Sequence, residues 1–233
     1  SKAPRPIASS GIMDREDTPM LEQYRTVNRY GEKEIVIRRS RFIGHAAPVE
    51  NEEEAWRFVE EIRKKHAQAT HNCYAYVAGE RDQFQKQSDD GEPSGTAGKP
   101  ILEVIKRRGL KNVAVVVTRY FGGILLGAGG LVGAYTEAAV AGIDAAEPVV
   151  RKLHRTLTIE ADYNWYGKIE HELRLKGILI QDTAFTDKVT VICLPEAGSA
   201  ERLVADLTNV TQGKCPITLG ESVYMTHPME DES

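Results

Sequence analysis

From Tyr24 onward apolar and polar residues alternate. The segments YRTVNRY and KEIVIRR, either side of Gly31, read as two antiparallel strands, and RFIGHAAPV reads as a third that completes a meander. Asn51 followed by Glu54 is an N-cap arrangement, and Ala55, Phe58, Val59 and Ile62 then recur at helical spacing, which predicts a helix over 52–66. HNCYAYVA alternates as a strand, FQKQ is a shorter strand candidate, and SDDGEPSGTAGKP at 88–100 is a loop. Ile101, Leu102 and Ile105 predict a short helix closed at Gly109. NVAVVVTRY is apolar and β-branched enough to be a buried strand. FGGILLGAGGLVGAYTEAAVAGIDAA then reads as a glycine-rich turn running into a helix from about Gly129 to Ala145.

Pro148 cannot continue that helix and marks a domain boundary, with a new strand expected near His154. Beyond it, HRTLTIEAD, NWYGKIEHELRLKG, ILIQDTAF, KVTVICLP, SAERLVADLTN and ESVYMTH follow in the order β-α-β-β-α-β, the ferredoxin-like arrangement. The expected class is α+β with two domains, residues 20–147 and 148–229. Residues 1–19 read as a disordered tail or an expression remnant, with Met13 and Met20 as alternative starts, and residues 230–233 as a short tail.

Composition narrows the choice of function. With 41% apolar and 27% charged residues, the 233-residue chain has the makings of packed cores. Its net charge of −4 argues against a chain-wide basic surface, and the acidity falls in residues 148–233, where 9 basic residues face 13 acidic ones. Three cysteines without a Cys-x-x-Cys spacing point to a reducing compartment, hence a cytoplasmic protein. The most apolar stretch, Phe121 to Ala134, spans 14 residues with six glycines, too short and too broken for a membrane helix.

The glycines Gly122, Gly123, Gly127, Gly129 and Gly130, between a buried strand and a helix, could bring backbone N–H groups and a helix N-terminus to an anion. They match neither established phosphate-binding glycine pattern, and helix-to-sheet packing would also call for them. Arg119 and Tyr120 end the strand that leads into them, where α/β sheets place ligand sites. In the 88–100 loop, Asp89, Asp90 and Glu92 could hold a hard cation, with Ser94 and Thr96 orienting phosphate or water. The competing reading is an Asx-rich turn that satisfies its own backbone. His71 and Cys73 share one strand face, which allows either a nucleophilic pair or a buried structural thiol beside a hydrogen-bonded His. Arg38, Arg39 and Arg41, and Lys106, Arg107, Arg108 and Lys111, are the basic clusters of the first domain.

SRFIGHAAPV, HNCYAY, SDDGEPSGTAGKPIL and VVVTRYFGGILLGAGGLVGAY, in this order, closely resemble the IMPACT family, and the added C-terminal domain is similar to its bacterial YigZ/YvyE branch. The resemblance covers about residues 22–226. It implies an N-terminal α/β sandwich of the kind shared by a small-subunit ribosomal protein, GHMP kinases and a domain of elongation factor G, followed by a ferredoxin-like domain. It also implies a regulator of translation, as eukaryotic relatives restrain a general-control kinase pathway. Family members commonly carry Lys and Arg where this chain has Leu125 and Gly133, which leaves Lys99 and Arg119 as the cations expected near the glycine turn.

The leading expectation is therefore a non-catalytic protein that binds RNA or a translation-associated partner on the ribosome through its first domain, with no membrane association and no cofactor. Its ligand residues would be Lys99, Arg119, Tyr120, the five glycines, Ser94, Thr96 and His71. A second reading is an enzyme acting on a phosphorylated small molecule or nucleotide, with Mg held by Asp89, Asp90 or Glu92. A third is a protein-interaction adaptor. The sharpest expectation is that the 88–99 loop and the 119–130 turn form one site, with Arg119 neutralising Asp89 or Asp90 or else binding an anion.

Overall fold

A computed structural model describes residues 20–230. The tail expected at 1–19, and residues 231–233, lie outside the described residues. Two compact units are present, with the break inside one strand: Tyr24–Val150 forms one unit, and Arg151–His227 forms the other together with residues 20–23.

In the first unit an antiparallel sheet has the order β2-β3-β6-β4-β5, from β2 (Gly31–Ile37), β3 (Ser40–Pro48), β4 (His71–Ala78), β5 (Phe84–Ser88) and β6 (Val113–Tyr120). The central strand β6 is apolar on both sides because both are covered. Ala114 and Val116 pack with Ala55, Phe58, Val59 and Ile62 of α1 (Glu52–Lys65). Val113, Val115 and Val117 pack under α2 (Gly98–Arg107) and α3 (Gly127–Ala145). The Asn51 side chain accepts the Glu54 N–H at 2.8 Å, which fixes the start of α1 as its spacing predicts. The alanine-rich α3 sits so close to β3 that a Cβ on Gly44 would lie 2.0 Å from the Ala138 carbonyl oxygen, so glycine is what permits the approach.

The second unit has the order β10-β7-β9-β8, from β7 (Pro148–Ala161), β8 (Leu179–Phe185), β9 (Val189–Leu194) and β10 (Ile217–Pro228). Helices α4 (Tyr163–Leu175) and α5 (Ala200–Val210) cover one face through Ile169, Leu173, Leu203 and Leu207, packed on Leu157, Ile159, Val189 and Val191. This is the ferredoxin-like unit, and the two-domain α+β class holds.

Two local expectations are corrected. The strand read from YRTVNRY, β1 (Gln23–Val27), does not join a meander with β2 but pairs with β7 in the other sheet. Between them the chain is tied to the end of α3, where the Asn28 N–H donates to the carbonyls of Ala146 and Glu147, so no hairpin turn can form. Strand β7 also starts at Pro148 rather than near His154; proline is tolerated as the first residue of a strand.

Candidate functional site

Strand alternation sends Arg119 to the face covered by α2 and α3, and Thr118 and Tyr120 to the face covered by α1. Arg119 is 5% exposed and donates to Glu92 Oε1 at 2.6 Å, while Tyr135 of α3 donates to the same oxygen at 2.7 Å. A second Arg119 nitrogen reaches Ser40 Oγ at 3.3 Å, and Ser40 Oγ also accepts the Gly122 N–H at 3.2 Å. The guanidinium lies over the rings of Phe42 and Phe121, 5.4 Å from each centroid, and its Nε is buried without a partner among the described residues. His71 Nδ1 donates to the Asp90 carbonyl at 2.7 Å, leaving Nε2 3.6 Å from Glu92 Oε1. The two loops thus meet, through Glu92 rather than Asp89 or Asp90.

That geometry corrects the role expected of Arg119 as an anion ligand: its charge is spent on Glu92. Nor do the three loop carboxylates converge. Asp89 accepts the N–H groups of Gly95, Ala97 and Gly98 at 3.0, 3.1 and 2.9 Å, which organises the loop and the start of α2. Burial acts to raise its pKa, but these three donors outweigh it and hold the carboxyl below its ordinary value. Asp90 accepts the Asn72 N–H at 2.7 Å, and Glu92 faces Arg119. Among the described residues no group of three His, Cys, Asp or Glu is placed to hold a metal. Thr96 donates to the Pro93 carbonyl at 2.6 Å, a turn bond, whereas Ser94 and Lys99 are exposed. Cys73 is fully buried, donates to the Asp89 carbonyl at 3.0 Å, and is pushed by burial far above the ordinary thiol range. It is a structural thiol, not a nucleophile.

On the α1 face, Tyr120 Oη lies 2.8 Å from His66 Nδ1, and His45 is fully buried between Tyr30 (2.9 Å) and Thr118 (3.2 Å). Burial first, then the neighbouring His66, pushes His45 down to about 4, against the pull of Glu32. Tyr120 is therefore separated from Arg119 by the sheet itself.

The glycines divide into two kinds. A Cβ on Gly122 would lie 2.1 Å from the Arg39 carbonyl carbon, so Gly122 is a packing requirement where the loop crosses the β2–β3 turn. Gly123, Gly127 and Gly129 face open space. Residues 121–126 form an exposed loop in which Phe121 is 47% and Leu125 81% exposed. Helix α3 then begins with the exposed run Gly127, Ala128, Gly129, Gly130, with no side-chain cap and no acid in its first turn. Beside it lies the turn between β2 and β3, where Arg38 and Arg39 both take left-handed φ, 45° and 65°. Such a two-residue turn favours Asn and Gly, so two arginines there are unusual. Arg38 donates to the Leu125 carbonyl at 3.5 Å, and neither arginine has a carboxylate partner among the described residues.

Sequence reasoning missed Ser40 and Tyr135, the two hydroxyl groups that complete the Arg119 cluster. A tyrosine in an otherwise alanine-rich helix was a usable signal, because a buried phenol needs a partner. Arg38 and Arg39 read only as a charge run, since the tight turn that the Ile37–Ser40 pair closes calls for Asn or Gly at those two positions.

Comparisons with known proteins identify both domains of the chain. The family profile of the Impact N-terminal domain matches residues 38–143, and that of a domain of unknown function (DUF1949) matches residues 159–214. IMPACT family member YvyE of Bacillus subtilis (strain 168) is 48% identical over 206 residues, 88% of this chain and 95% of that protein. The chain belongs to the IMPACT family. IMPACT family member YigZ of Escherichia coli (strain K12) is 38% identical over 184 residues, covering 76% of this chain and 88% of its own length. Protein IMPACT of Mus musculus is 43% identical over 98 residues, 40% of this chain and 30% of that protein. A solved structure titled "Crystal structure of an hypothetical protein" shares 31% identity, with a TM-score of 0.55 over 91% of this chain and all of its own. Among the described residues no helix is long and apolar enough to cross a membrane.

Proposed function

We propose that this IMPACT family member is a cytosolic, translation-associated binding protein. It would engage RNA or a ribosome-bound partner through the face made by loop 121–126, the start of α3 and the β2–β3 turn. One observation carries the reading: an exposed, uncapped helix N-terminus stands beside two arginines with no carboxylate partner. Free N–H groups, the helix dipole and two guanidiniums all favour a negatively charged partner. Exposed Phe121, Ile124 and Leu125 add apolar contact area. Beneath, Arg119 and Glu92 neutralise each other and act as the support of this face. The nucleotide-enzyme reading loses ground because its metal ligands point to separate partners.

Co-sedimentation of the protein with purified ribosomes across a salt series tests the proposal. Association at low ionic strength that weakens as salt rises is the expected result; none even at the lowest salt would sink it. A thermal-shift screen with nucleotides and magnesium gives the enzyme reading its own trial, since saturating ligand must raise apparent stability.

A further inference from the structure

In the second unit, His154 of β7 and His227 near the end of β10 bring their Nε2 atoms to 2.9 Å. The ring planes are 10° apart and the centroids 5.1 Å apart. That separation is the Nε2–Nε2 distance plus one ring radius at each end, so the imidazoles meet head to head in nearly one plane. Such an approach leaves no room for a metal between the nitrogens, since each metal–nitrogen bond alone takes about 2.0–2.1 Å. It is the geometry of an N–H···N hydrogen bond with one proton between two nitrogens.

The neighbours fix which nitrogen owns that proton. His154 Nδ1 lies 2.8 Å from the Leu194 carbonyl oxygen, an acceptor only, so Nδ1 carries hydrogen and donates. In the neutral ring Nε2 is then the acceptor, and His227 donates from its own Nε2. A further proton can sit on His227 Nδ1 without disturbing the bond. When both rings are cationic, both Nε2 atoms carry hydrogen and the contact becomes a repulsion between donors.

We propose that His154 and His227 form a one-proton clasp between β7 and β10, closed while at most one ring is charged and opened by the second proton. His154 is 5% exposed, so it cannot relieve the repulsion by moving its charge into water. The charged groups around the pair are Lys152 on β7 and Glu196 after β9, which lie 3.7 Å from each other. Glu22, whose carbonyl accepts the Leu153 N–H, sends its carboxylate toward Gly198. Burial first, then His154 and Lys152, hold His227 below its ordinary value against the pull of Glu196. A histidine depressed in the fold adds stability that is present above its unfolded value, about 6.5, and is lost as pH falls through it. That first proton leaves the bond in place, and the clasp opens as further acid supplies the second.

The test is a pH titration of the full chain by nitrogen-15 NMR of the imidazoles, with hydrogen exchange of the β10 amides. Above neutrality His154 should appear as the Nδ1–H tautomer and His227 as the Nε2–H tautomer, and on acidification the pair should take up protons in two separate steps. Protection of β10 near His227, corrected for intrinsic exchange, should fall by about tenfold between about pH 7.5 and pH 5. His227→Gln supplies a neutral side chain that can donate or accept, so its β10 protection should stay flat over that range. Equal pH dependence in both proteins, or two rings titrating independently without tautomer preference, would overturn the clasp. Should the Gln variant not fold, the tautomers and titration steps of the wild type decide the matter alone.

Discussion

The exposed loop 121–126 and the Arg119 cluster are separated along the chain by Tyr120 alone and are built on opposite terms. In the cluster every charge has a partner: Arg119 with Glu92, Tyr135 on the same carboxylate, Ser40 tying arginine to loop. In the loop and its flanking turn, apolar side chains face water and two arginines hold backbone conformations that arginine rarely adopts. Paired charge is concentrated below and charge without a carboxylate partner above, which is the division expected where a rigid support presents a binding surface. A strong charge in a tempting position is thus not evidence of a ligand site until its partner is known.

The comparison breaks most visibly at Arg119. Arg119→Ala leaves Glu92 buried and unpaired, and a loss of about 3–5 kcal/mol is expected in urea denaturation. A cost within about 0.5 kcal/mol, the range of ordinary surface changes, would show that the pair is not the support described. Tyr135→Phe removes one donor from the same carboxylate and should cost about 1–3 kcal/mol by the same measurement. Asp89→Asn weakens the bonds that organise the loop before α2, with an expected loss of about 1 kcal/mol at neutral pH. Because the Asp89 carboxyl sits below its ordinary value in the fold, its contribution is present above the unfolded carboxylate pKa of about 3.9 and fades as pH falls through the folded value. The difference between wild type and Asp89→Asn should therefore shrink in acid, and a constant difference down to about pH 2 would remove Asp89 from that role. Leu125→Glu, at an 81% exposed position, should change stability by no more than about 0.5 kcal/mol.

Much of this was legible in the residues. The heptad-like spacing of Ala55, Phe58, Val59 and Ile62, the Asn51 cap, and the unbroken β-branched run of β6 each determine an element locally, so pattern and structure agree. The destination of β1 was not legible, because YRTVNRY carries no mark of which sheet it joins; the bonds from Asn28 to the end of α3 decide it over more than a hundred residues of sequence. The site divides in the same way. The meeting of the 88–99 loop with Arg119 followed from both segments bordering one strand end, but three neighbouring carboxylates look alike in sequence. Only the fold shows Asp89 turned to backbone N–H groups and Glu92 turned to arginine. The β2–β3 turn stayed hidden for a further reason, since arginines at left-handed φ violate the local preference a reader would apply.

Replacing both turn arginines separates a face above Arg119 that binds from a cluster below that only supports. Arg38→Ala with Arg39→Ala should leave urea stability within about 0.5 kcal/mol of wild type, and should lower ribosome co-sedimentation at low salt by about tenfold, with a shallower dependence on salt. Unchanged association by a folded double variant, or a loss of association that merely follows a loss of stability, would contradict the account.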